Sequence, residues 1–173
     1  YKRQRENVTI NRGTAAKGKT CVGSGNLLME SVHVAHDAFV GNDCIIGNGT
    51  KLAGEIIIDD HAIISANVLM HQFCRVGGYT MVGGGTRFSQ DIPPYTICAR
   101  EPVAYCGLNL VGLRRRGFSN ELIENIHNAY RIIYQGGVPL NEALQKVREE
   151  VPASPEINYI IEFIENSKRG FVH

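Results

Sequence analysis

The five residues His33-Val34-Ala35-His36-Asp37 carry the most suggestive chemistry of this chain. An imidazole titrates near neutrality, and a neighbouring carboxylate can fix its tautomer and ring direction. His36 with Asp37 therefore has the make-up of a general base and its orienter. A second pair, His71-Gln72, follows later, and the run Arg114-Arg115-Arg116 offers guanidinium forks that match phosphate oxygens. Each group has a plainer reading. Surface histidines are commonly just solvated, and His61 is left with that reading; an arginine run is often a wet linker. Zinc is a competing reading, because His33 and His36 have workable ligand spacing and three histidines across a subunit interface would leave an open position. No third His has an obvious place in the same stack, so no metal site is assigned.

What must position these residues shows in a strict period. Val22, Leu28, Val34, Val40, Ile46, Leu52, Ile58, Ile64, Met70, Val76, Val82 and Phe88 are large and apolar at a constant spacing of six. Four residues after each, small or β-branched residues recur, among them Val32, Ala38, Cys44, Thr50 and Ala62. Six fits neither a helix nor an alternating strand. It fits a chain that turns a corner every six residues and points one aliphatic side chain inward per flat side. Three sides close a coil of 18 residues, and coils stack by parallel strand pairing. The expected fold is a β solenoid plus α: a left-handed parallel β-helix of hexapeptide repeats, an exception to right-handed crossovers, followed by a C-terminal α-helical domain. Positions 18 apart then lie one above another. His36, Gly54 and Gln72 form one column, and Ala35, Ala53 and His71 the next. A glycine one coil from the base can present an unhindered N–H to a developing oxyanion.

Composition narrows the function classes. A net charge of +1 argues against a nucleic-acid partner held by bulk charge, and the absence of Trp leaves no clear stacking platform for bases. No apolar stretch reaches spanning length, so no transmembrane segment is expected, and no signal-peptide pattern is present. The five Cys form no CxxC pair; Cys44 and Cys74 fall in small inward slots, as packed thiols in a reducing, cytoplasmic compartment would. The sequence opens at Tyr1, Ile10 and Ala16 already sit in the six-residue register, and no cap precedes them. The expectation is a fragment lacking earlier coils.

Residues 22–88 read as the regular prism, with Gly13–Thr20 as a small excursion from a corner. The repeat is expected to end at Asp91-Ile92-Pro93-Pro94-Tyr95, where prolines remove ladder donors, and 95–107 to be irregular or weakly extended. Ser119 can cap a helix through Ile133 with Gly136 as its stop. A second stripe spans Pro139–Val151. Ser154-Pro155-Glu156 starts a third helix, with Gly170 as terminator. The domain division is 1–106 for the β-helix and 107–173 for the helices.

Several motifs in order carry a resemblance: Asn26-Leu27-Leu28-Met29, His33 through Asp37, Leu52-Ala53-Gly54, His71-Gln72-Phe73-Cys74, Met81-Val82-Gly83-Gly84, Gln90 through Tyr95, and Gly112 through Ser119. As a set they closely resemble the acyl-carrier-protein-dependent UDP-N-acetylglucosamine O-acyltransferases that begin lipid A biosynthesis, from about Glu6 to the C-terminus. The resemblance implies a homotrimer with sites in clefts between prisms. It implies transfer of an (R)-3-hydroxyacyl chain from the phosphopantetheine of acyl carrier protein to the 3-hydroxyl of UDP-N-acetylglucosamine, with no resident cofactor. On it, His36 matches the general base, Asp37 its orienting carboxylate, and Gly54 the oxyanion donor. His33, His71 and Gln72 match contacts to acyl chain or sugar nucleotide, and Asn109, Arg115 and Arg116 contacts to the nucleotide. Gly84 matches the groove floor that limits chain length; lacking bulk, it implies a long donor, of about fourteen carbons or more. Lys51, Arg75, Arg87 and Arg100 are candidates for docking the acidic carrier protein, beside the plainer reading of solvated surface cations.

Two departures stand out. Glu55 occupies a position where better-known members have His, and Val111 one where they have Glu. If both faced one cleft, acceptor recognition would be rebuilt, for example toward a 3-amino sugar nucleotide; the plainer reading is drift at a tolerant rim. A prism with histidines on its surface would also suit the later N-acyltransferase of the same pathway, a γ-carbonic-anhydrase-like zinc protein, or a non-enzymatic scaffold.

Overall fold

The computed structural model describes residues 3–173. Two-residue strands recur every six residues and stack into three parallel sheets, one per face. The first face carries Arg3–Gln4, Leu27–Leu28, Ile45–Ile46, Ile63–Ile64 and Met81–Val82. The second carries Thr9–Ile10, His33–Val34, Lys51–Leu52, Leu69–Met70 and Arg87–Phe88; the third carries Cys21–Val22, Phe39–Val40, Ile57–Ile58 and Arg75–Val76. Pairing joins residues 18 apart, as in His33 with Lys51 and Leu69 with Arg87. From Leu28 onward, the second residue of each two-residue strand points inward and is buried. Val34, Val40, Ile46, Leu52, Ile58, Val76 and Val82 are all fully buried, as are the intervening Val32, Cys44, Ile56 and Cys74. Burial raises the Cys44 and Cys74 thiols to about 11, so they pack as neutral groups.

The corners rest on a device that residue type does not announce. Ser31, Asp37, Asp43, Glu55, His61, Asn67, Phe73 and Tyr79 all adopt positive φ, and Gly25, Gly49 and Gly85 continue the same six-residue series. Each coil thus turns through left-handed residues, most of them not glycine, held by the ladders on either side.

The excursion at Gly13–Thr20 is present. It lengthens the first coil, so Thr9 pairs with His33 across 24 positions whereas Cys21 pairs with Phe39 across 18. Ala16 consequently lies in the excursion and not in the ladder, a correction to the register assigned to it.

The end of the solenoid also differs from expectation. Ile92 bridges Val76 and is fully buried, and Cys98 pairs with Val82. Both offsets are 16, against 18 between Met70 and Phe88, so the coil continues after losing two residues between Phe88 and Ile92, ahead of the Pro93-Pro94 corner. Residues 95–107 take the extended alternative: strands Thr96–Ala99 and Ala104–Leu108 form an antiparallel hairpin on the edge of the first sheet. The 106/107 boundary falls inside the second of these strands.

Four helices follow. Helix α1 (Leu110–Arg115) is additional to the three expected, and Asn109 caps it by accepting from the Gly112 N–H. Helix α2 (Asn120–Gln135) runs from the Ser119 cap to Gly136 as expected, and α3 spans Leu140–Glu150. Helix α4 (Pro155–Glu165) starts at the Ser154 cap but stops at Asn166, well before Gly170. Gly170 instead turns the chain so that Phe171 bridges Asp91. The helices share a second core around Ile126, Tyr130, Val147, Ile160 and Phe163, and Tyr95 of the solenoid end belongs to it. Tyr159 of α4 ties the two parts together: its hydroxyl donates to Asp59 and accepts from the Gly78 N–H.

Candidate active site at one edge of the solenoid

His36 and Asp37 stand on the corner between the second and third faces. Asp37 is buried, with φ of 59°, which turns its carboxylate back beside the His36 ring. Oδ2 lies 2.9 Å from His36 Nδ1. The carboxylate also accepts from Thr14, whose N–H is 2.9 Å from Oδ1 and whose hydroxyl is 2.5 Å from Oδ2. The Thr14 hydroxyl, and then the His36 contact, hold the Asp37 pKa below its ordinary value against the opposing effect of burial. An ionised Asp37 requires Nδ1 of His36 to carry the proton, which leaves the Nε2 lone pair free to act as a base.

Gly54 lies one rung on, as the 18-residue period requires. A Cβ there would be 2.7 Å from both Cε1 and Nε2 of His36, so the ring lies directly against the glycine backbone. Among the described residues, no acceptor takes the Gly54 N–H. The column therefore brings together an oriented base and a backbone donor held on adjacent rungs of a rigid sheet.

A groove of about 790 Å³ runs along the second face beside this corner. Leu52, Leu69, Met70 and Phe88 give it an apolar floor, and His33, Ala53, Gly54, His71 and Glu101 contribute to its walls. His33 is fixed by a 2.7 Å hydrogen bond between Nδ1 and the Thr9 hydroxyl. His71 donates from Nδ1 to the Gln72 carbonyl at 3.0 Å, which turns its Nε2 outward. Gln72 is exposed on the column above Gly54. Gly84 is exposed at the corner leading into the same face. A Cβ there would meet only the Ala66 carbonyl at 3.4 Å and Ser65 at 3.8 Å, so the site has room for bulk. Of the four candidate docking cations, two are engaged within the chain: Arg75 is bonded to Asp59 and lies 4.7 Å over the Phe163 ring, and Lys51 donates to the Ser31 carbonyl at 2.9 Å.

Asn109, Arg115 and Arg116 lie elsewhere. The Asn109 amide caps α1 through its oxygen and donates to the Tyr79 carbonyl at 2.9 Å. Arg116 donates to His61 Nδ1 at 2.8 Å and sits over Tyr79, while Arg115 is exposed. Burial and the Arg116 charge lower the His61 pKa, and its ring packs 4.7 Å from Tyr79. His61 is thus part of a structured cluster, which the sequence did not signal. This cluster occupies the corner after the third face, a different edge from His36. Glu55 pairs with Lys17 at 3.2 Å beside the His36 corner, whereas Val111 is 59% exposed in α1. Among the described residues, no three His, Cys, Asp or Glu side chains come together as metal ligands. Among the described residues, no helix is long and apolar enough to cross a membrane.

The chain is a parallel β-solenoid of six-residue repeats followed by helices, and one of its corners sets the His36–Asp37 pair beside a groove with an apolar floor. Residues 91–172 match the family model described as UDP N-acetylglucosamine O-acyltransferase, domain 2. An acyl-[acyl-carrier-protein]–UDP-N-acetylglucosamine O-acyltransferase of Aliivibrio salmonicida (strain LFI1238) is 41% identical over 169 residues, 97% of this chain and 64% of the relative. The crystal structure of a UDP-N-acetylglucosamine acyltransferase from Bacteroides fragilis 9343 superposes with a TM-score of 0.95 at 73% identity, over 97% of this chain and 66% of that one. The UDP-N-acetylglucosamine O-acyltransferase of Moraxella catarrhalis RH4 gives a TM-score of 0.95 at 39% identity, over 100% and 68%. The chain belongs to the UDP-N-acetylglucosamine O-acyltransferase family. It spans 64% of the length of the curated relative.

Proposed function

We propose that the full-length protein transfers an (R)-3-hydroxyacyl chain from acyl carrier protein to the 3-hydroxyl of UDP-N-acetylglucosamine, the first acylation of lipid A biosynthesis. The observation that carries this reading is the Asp37–His36 pair lying against Gly54 beside an apolar groove. Nε2 of His36 takes the proton of the sugar hydroxyl as its oxygen attacks the thioester carbonyl carbon. The tetrahedral oxyanion accepts from the Gly54 N–H. Collapse breaks the C–S bond, and the proton passes from the imidazolium to the departing phosphopantetheine thiolate. A thioester is already an activated acyl group, so the mechanism needs no covalent acyl-enzyme and calls on no resident metal or cofactor. The groove takes the acyl chain, with His33, His71 and Gln72 at its polar end.

A homotrimer fits this reading. Asn109, Arg115 and Arg116, assigned to the nucleotide, stand on a different edge from His36, so a neighbouring prism is needed to bring them to the same cleft. Outward Phe39, Ile57, Leu69 and Phe73 are each more than a third exposed in the single chain and supply apolar surface for such contacts. The five unpaired thiols suit a reducing compartment, the cytoplasm.

Incubating the full-length protein with (R)-3-hydroxymyristoyl carrier protein and UDP-N-acetylglucosamine tests the reaction, with the product identified by mass. Formation of the 3-O-acyl product supports the proposal. Transfer to the 3-amino analogue alone would reassign the acceptor, and no transfer to either would overturn the reading.

A further inference from the structure

We propose that the excursion Gly13–Thr20 is a positioning clamp for the catalytic pair, with Thr14 as the residue that aims Asp37 and, through it, His36. The inference rests on His36 acting as the base. The loop closes tightly at its neck, where a Cβ on Gly13 would lie 2.1 Å from the Lys19 nitrogen. Inside it, the Gly18 N–H donates to the Thr14 carbonyl at 2.7 Å. The Ala16 N–H donates to the Thr14 hydroxyl at 3.2 Å. With that lone pair engaged, the hydroxyl proton is directed to Asp37 Oδ2, while the Thr14 N–H takes Oδ1. At the far end of the loop, the Thr20 hydroxyl accepts from the Asp37 N–H at 2.8 Å and secures the left-handed corner. One short excursion therefore contacts Asp37 at three atoms.

The loop also reaches the adjacent rung. Lys17 pairs with Glu55, the neighbour of Gly54, so both rungs of the proposed site are tied to the same segment. A plain solenoid corner would leave the Asp37 carboxylate to water, which bonds it in many geometries. Fixed protein donors leave one, and a base held in one geometry needs no reorganisation at the moment of attack. Thr14 is not among the residues lining the groove, and its route to the base is through Asp37.

The test compares Thr14→Val and Thr14→Ser in the full-length protein, with His36→Ala alongside. In the Val variant Oδ2 is left to His36 alone, so the carboxylate attracts the imidazolium more strongly. The expected result is a loss in kcat of roughly 10- to 100-fold with KM values unchanged, and an acid limb of the rate profile displaced to higher pH. Glu55 and Lys17 are the other charges near this pair and remain in both variants. Thr14→Ser keeps the hydroxyl and should restore most of the rate and the original limb. A Val variant with wild-type kcat and an unmoved limb would overturn the proposal, and so would a Ser variant as impaired as Val. A kcat loss that merely tracks lowered melting temperature, with the limb unmoved, would make Thr14 structural only and also overturn it. Full activity in His36→Ala would instead remove the base on which the inference rests.

Discussion

The imidazole of His36 rests on the backbone of Gly54, across one rung of the solenoid, with no space between them for a methyl group. The two residues are 18 apart in sequence and occupy the same column, so the contact follows from the repeat itself. The ring can lie there only because residue 54 has no side chain.

Gly54→Ala should therefore disable the base without unfolding the chain. Gly54 does not use positive φ, so its backbone tolerates alanine, but the new Cβ must push the ring off Asp37. A displacement on the order of 1 Å predicts a fall in kcat of about 100-fold, with the melting temperature nearly unchanged. Parallel rate and thermal-melt measurements check this.

Asp37 makes a stability prediction with a definite sign. Its pKa is lowered in the folded state, chiefly by the Thr14 hydroxyl. A depressed carboxylate stabilises the fold fully above its unfolded pKa of about 3.9, and that contribution fades as pH falls through the folded value. Asp37→Asn should lose this pH-dependent part, so its melting temperature should fall less steeply than that of the parent between about pH 5 and about pH 2. Thermal melts across that window decide it.

Tyr159 joins α4 to the solenoid by a hydroxyl shared between Asp59 and the Gly78 N–H. Tyr159→Phe leaves both partners short of a bond in a largely buried setting and should cost about 1–3 kcal/mol in chemical unfolding. Arg75 still neutralises Asp59, so the fold should persist.

Gly84 has room for a side chain, which makes it a test of chain-length control. Gly84→Met should shift donor preference toward shorter 3-hydroxyacyl chains in a competition among carrier-protein donors, because each excluded methylene is worth about 1–3 kcal/mol. An unaltered preference would place the limit elsewhere, for example at Phe88.

The six-residue period made the inward residues and the His36–Gly54 column legible, because a solenoid turns sequence spacing directly into position. The corners were less legible: Asp37, Glu55 and Phe73 adopt positive φ with no glycine to mark them, since the flanking ladders impose the turn. The two prolines looked like an end because proline cannot donate to a ladder, yet here they sit at a corner, with Ile92 in the coil before them and Cys98 in the coil after them. The grip of Thr14 on Asp37 depends on how an irregular loop folds back, which no period encodes. The capping of α1 by Asn109 was not legible either, because α1 is too short to show an apolar period.

The most direct test of the central claim is acyl transfer by the full-length protein with His36 replaced by alanine, measured beside the parent on (R)-3-hydroxymyristoyl carrier protein and UDP-N-acetylglucosamine. A general base at His36 predicts a folded variant whose kcat falls by roughly 100- to 10,000-fold, the contribution of one positioned proton acceptor. A folded His36→Ala protein that transfers the acyl chain at the parent rate would contradict it.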